Sequence, residues 1–183
     1  MRKPDGYDNS AAYTGESTAL PADGYICKIK KAVETESASH RPMLVLLFDI
    51  VEGDFANYYQ QQYDRVKKSN PDAKWGGVFR QLVDDKSLPF FKGMVTAIEQ
   101  SNNFIWNFDE SKLQGKMFGA LFGREQYLGN DGTMKWATKC VAIRTVDTIR
   151  NGAFEIPEDK PLANHSEFIN SPATFNDDND LPF

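Results

Sequence analysis

The run Gly129-Asn130-Asp131-Gly132 lies between two long segments that alternate in hydrophobicity, and no other feature restricts the fold as much. Gly, Asn and Asp tolerate the positive φ angles of a tight turn. Lys116 to Tyr127 and Met134 to Val146 are therefore expected to fold back on each other as an antiparallel hairpin. A turn symmetric about Asn130 and Asp131 sets Phe122 opposite Lys139, Arg124 opposite Ala137 and Gln126 opposite Lys135. One face then gathers Lys116, Phe118, Phe122, Arg124, Gln126, Lys135 and Lys139. The other gathers Met117, Gly119, Leu121, Gly123, Tyr127, Met134, Trp136, Cys140 and Ala142, and reads as a packed interior whose glycines let the sheet bend. A one-residue bulge after Asp131 would flip the register and dissolve the first of those faces.

Two further strands are legible upstream. In Tyr25 to Val33, Tyr25, Cys27, Ile29 and Val33 share a face while Lys28 and Lys30 take the other, the pattern of a half-buried strand. Met43 to Val51 is nearly continuous in apolar residues and reads as a central strand paired with the first. Helical spacing of Phe55, Tyr58, Tyr59, Gln62 and Val66 predicts a helix over 54–68, capped by Asp54. A second helix follows Ser87, with Phe91, Met94, Val95 and Ile98 as its apolar stripe, and ends near Asn103. Phe104 to Phe108 reads as a short extended piece, and Trp75, Phe79 and Arg80 as loop residues. Four or five strands with two inserted helices make a mainly β fold, a small antiparallel barrel of OB type.

Residues 1–23 form an irregular lead-in, 24–154 the folded body, and 155–183 a Pro-, Asn- and Asp-rich segment expected to be a disordered acidic tail. The last segment holds seven acids against one base, a net −6; the body holds eighteen bases against fifteen acids, a net +3. The overall −5 thus conceals a mildly basic body.

Several classes are excluded. The longest apolar run, Met43 to Phe48, is far shorter than the roughly 20 residues that span a bilayer. No apolar segment follows Met1 to Gly6, so no secretory leader is read. Cys27 and Cys140 stand alone, which suits a reducing cytoplasm. His40 and His165 are also isolated, so no metal site, cofactor site or positioned base is read. Asp84-Asp85 and Asp109-Glu110 read as solvated loop acids, and Gly115-Lys116 lacks the spacing of a phosphate-binding loop. The chain is expected not to be an enzyme.

The remaining chemistry is that of a binding surface. Bases of single-stranded nucleic acid stack on aromatic faces while Lys and Arg neutralise phosphates, and the first hairpin face mixes the two. The candidate contacts are Lys116, Phe118, Phe122, Arg124, Lys135 and Lys139, extended by Lys28 and Lys30 on the first strand and by Trp75 and Arg80. A different signal closes the chain, where Asp177, Asp178 and Asp180 precede Leu181, Pro182 and Phe183. Acids steer toward a basic rim, and the apolar residues can fill a pocket on a partner.

Residues 177–183 resemble the C-terminal peptide of bacterial single-stranded DNA-binding proteins, with Asn179 interrupting the acids and Leu181 at the aliphatic position. In that family the peptide recruits replication, recombination and repair enzymes, and the body is an OB-fold. The body here is similar instead to proteins of phage and prophage replication modules in Gram-positive bacteria. That similarity rests on Asp49-Ile50-Val51-Glu52-Gly53, the Tyr-rich stretch after it, and Tyr127 with Gly129 to Lys135, and covers roughly residues 20–150. It implies a phage-type single-stranded DNA-binding protein that coats exposed strands with little sequence preference and brings in partner enzymes. Assembly of several copies is compatible with it. The alternatives are a strand-annealing or recombination-mediator protein, and a protein adaptor without DNA contact.

Overall fold

The computed structural model describes residues 19–129 and 131–162. The tip at 177–183, the lead-in up to residue 18 and His165 lie outside the described residues. The alternation of the first strand is realised as β1 (Gly24–Glu36), with Tyr25, Cys27 and Ile29 buried and Lys28 exposed. It pairs antiparallel with β2 (Pro42–Ile50), which is buried from Leu44 onward. A bulge between Ile29 and Lys31 interrupts that ladder at Lys30.

After β2 the chain turns through Gly53 at φ 83° into α1 (Tyr58–Lys67). The helix begins later than expected and Asp54 does not cap it; Asn57, in the left-handed region, holds the N-cap position without a side-chain bond. Asp49 of β2 takes over the task. Its buried carboxylate accepts from the backbone N–H of Tyr59 at 3.0 Å and of Gln60 at 3.1 Å, satisfying free donors of the first turn.

Val78–Leu82 forms β3, an antiparallel neighbour of β2. This corrects the expectation of a loop at Phe79 and Arg80: Phe79 is buried and Arg80 points away from it, opposite Val45. The approach needs Gly77, because a Cβ there would collide with the Phe48 carbonyl oxygen. Then α2 (Leu88–Asn102) lays Phe91, Met94, Ala97 and Ile98 onto the core. Residues 104–108 are not a strand. Trp106 folds back against Phe91, ring centroids 6.2 Å apart, and a short 3-10 helix (Glu110–Leu113) follows.

Met117–Leu128 is β4 and Met134–Arg144 is β5; a final turn of helix, α3, spans Val146–Arg150. The sheet order is β3-β2-β1-β4-β5, all neighbours antiparallel. Its seam is open: β3 approaches β5 without a ladder between them, so the sheet is not closed into the expected OB-type barrel, and α2 touches both edge strands and β4. The core is centred on Phe48, whose ring meets Tyr59, Phe118 and Phe122 edge-on at 5.6, 5.5 and 6.2 Å. No helix among the described residues is long and apolar enough to cross a membrane.

Candidate nucleic-acid interface

The hairpin turn decides which side chains leave the core. Gly129 N–H donates to Thr133 O at 2.8 Å, so the loop holds three residues, with Gly132 at φ 74°. Asp131 fixes it by accepting from Thr133 N–H and Oγ1 and from Lys135 Nζ. The Lys135 bond first, then those from Thr133, lowers its carboxyl to about 2. A three-residue loop shifts the register by one from the symmetric turn: Phe122 faces Cys140, Arg124 faces Thr138 and Gln126 faces Trp136. A second irregularity falls between Leu121 and Phe122.

Because facing residues share a side of the sheet, the expected single ring-and-cation face is divided. Phe118 and Phe122 are completely enclosed, and both are removed from the candidate contacts. Lys135 and Lys139 lie with Tyr127 and Glu125, on the side opposite Arg124 and Gln126. Conversely, Trp136, Tyr127 and Met134, assigned from the sequence to the interior, are 40%, 38% and 48% exposed.

What remains is an arm. β1 pairs with β4 only as far as Leu121, so residues 122–128 and their β5 partners continue beyond it. The arm carries Arg124 with its guanidinium 4.9 Å from the Trp136 ring centroid. Each basic residue on it has an acidic partner: Arg124 meets Asp159 at 3.2 Å, Lys135 meets Asp131 at 2.7 Å and Lys139 meets Glu125 at 3.9 Å. Residues 153–162 run back over this region. Lys160 bonds through its backbone to Arg124 O and Gln126 N–H, each at 2.9 Å, on the β4 edge that β1 leaves free.

The other candidates stand apart from the arm. Lys116 is half-buried, with Nζ 4.2 Å above the Phe104 ring. Lys28 is exposed on β1 opposite Asp49, and Arg80 is exposed on β3. Lys30, thrown out by the bulge, donates to Gln60 Oε1 at 2.8 Å and lies 3.7 Å from Asp49 and 4.6 Å over the Trp75 ring. Trp75 is half-buried and anchored by its indole N–H to Phe48 O at 2.9 Å. Beyond it the Tyr63 ring lies at 5.6 Å, and Lys67 Nζ lies 5.1 Å over Tyr63. Tyr63 and Lys67 were missed in the sequence, where their spacing of four marks only one helix face.

Two of the acids read from the sequence as solvated have structural tasks. Asp84 pairs with Arg41 and accepts from Ser87, and Asp109 caps the 3-10 helix through Ser111; these hydrogen bonds hold both carboxyls below the usual range. Among the described residues no group of three or more His, Cys, Asp or Glu is gathered for a metal ion. The thiol of the half-buried Cys140 is pushed up to about 12 by desolvation, as expected of a packing residue rather than a nucleophile. Neither the protein-family models nor the curated proteins contain a match to this chain.

Proposed function

We propose that this protein binds single-stranded DNA of little sequence preference, as a phage-type coating protein of replication or recombination. The observation that carries the reading is Trp136 on the projecting β4–β5 arm, exposed and flanked by Arg124, with Tyr127, Lys135 and Lys139 on the opposite side. A ring there offers a base a stacking surface worth about 1–3 kcal/mol. The exposed ion pairs around it are worth only about 0–1 kcal/mol each, so a phosphate can replace the carboxylate partner of Arg124 or Lys139 at small cost. An open sheet of five antiparallel strands whose edges β3 and β5 approach each other supports an OB-type reading, in which the β4–β5 connection would contact the strand. Partner enzymes would be recruited by Asp177, Asp178, Asp180, Leu181, Pro182 and Phe183.

The test is a titration of tryptophan fluorescence with oligo-dT over a range of salt. Quenching is expected, with a log–log salt slope of about −0.7 per phosphate contact. The absence of quenching or any other binding signal at low salt would refute DNA binding and leave the adaptor reading.

A further inference from the structure

The arm is poor in net charge. Residues 124–139 hold three bases and two acids, and the returning segment 153–162 adds Glu155, Glu158 and Asp159 against Lys160. If DNA binds there mainly by stacking, its phosphates need another partner. The α1 side of the molecule supplies one. Residues 58–75 hold four bases against two acids, and Lys67, Lys68 and Lys74 are exposed. The rings and cations form a continuous row, Lys30–Trp75–Tyr63–Lys67, in which each cation lies over a ring and the rings lie 5.6 Å apart. Three separate elements build it: the β1 bulge, α1 and the connection into β3. The bond from Trp75 to Phe48 O fixes the indole edge and Lys30 is held by Gln60 and Asp49, while Lys67, which donates to the Tyr63 hydroxyl at 3.1 Å, is exposed and can turn to meet a polyanion.

We infer that this row, together with the exposed Lys68 beside Lys67, is a second contact site for the phosphodiester backbone and bases of a single strand, separate from the arm. The inference rests on the DNA-binding reading and adds α1 cations to the phosphate contacts of the arm and Trp75 to the stacking surface of Trp136. Two classes of substitution then have different signatures. In the full chain, the double variant Lys67→Gln/Lys68→Gln makes the salt slope of oligo-dT binding shallower by about 1.4, two contacts at about 0.7 each. Trp136→Ala weakens binding with the slope unchanged.

A second readout uses the Trp136→Phe protein. Trp106 is buried, so quenching by oligo-dT that persists there reports on Trp75. An unchanged slope in the double variant, or loss of all quenching in Trp136→Phe while binding persists by anisotropy, overturns the α1 site and leaves the arm reading standing. Failure of the unmodified protein to bind oligo-dT overturns both.

Discussion

Phe122→Ala removes a ring that is fully enclosed and meets Tyr25 edge-on at 5.2 Å and Phe48 at 6.2 Å. Truncating a buried Phe to Ala costs about 3–5 kcal/mol, the larger values applying where the surroundings cannot collapse into the space. Here they are held in place. Phe48 is pinned by Tyr59 and Phe118, and Tyr25 by Phe55 and by its hydroxyl bond to Pro21 O. A loss of about 4 kcal/mol follows, a large share of the roughly 5–15 kcal/mol that holds a domain together. At about 2–4 °C per kcal/mol for a chain of this size, the melting temperature falls by about 8–16 °C. Urea unfolding followed by tryptophan fluorescence and melting followed by circular dichroism measure both. A loss below about 1 kcal/mol combined with weakened oligonucleotide binding would refute the packing, because it would take the ring out of the core and place it on the ligand side.

Trp136→Ala should leave stability within about 0.5 kcal/mol, since the ring is on the surface, and lower oligo-dT affinity by about 5- to 150-fold; retained affinity in an anisotropy titration would remove the arm from the interface. Asp49→Ala strips α1 of its two acceptors and should cost about 2–3 kcal/mol in urea unfolding, with α1 amides losing hydrogen-exchange protection before the rest; unchanged protection would mean the helix needs no cap from β2. Gly77→Ala sets a Cβ against Phe48 O, and should weaken the β2–β3 ladder by more than about 1 kcal/mol; wild-type stability would contradict the close approach. Asp131, with its carboxyl lowered, should titrate near 2 by NMR rather than near the usual carboxylate value. The sign is that of a depressed acid: its stabilisation of the turn is complete above the unfolded value and fades as pH falls through about 2.

Much of the sheet was legible because its signals are local. The alternation of Tyr25, Cys27 and Ile29, the apolar run from Met43 and the turn residues before Met134 each act within a few positions, and all three became strands. β3 was not legible. Val78–Leu82 is short, follows a Trp-Gly-Gly segment, and becomes a strand only because β2 offers it a free edge. The helix at 54–68 was placed correctly and begun too early, since its first-turn donors are met by Asp49, which sequence distance hides.

The candidate interface shows the same division more sharply. Residue types alone specified a hairpin, a body richer in base than its tail, and rings mixed with cations; these follow from composition and spacing and need no tertiary contact. Which ring faces water was settled elsewhere. The fold chose a three-residue loop held by Asp131 and Thr133, and that one added residue set Cys140 and Trp136, in place of Lys139 and Lys135, on the side of Phe122 and Arg124, while packing on Phe48 buried Phe122 itself. A period of two cannot distinguish its own two faces; only the partner surface that buries one of them, here Phe48 and its neighbours, makes the choice.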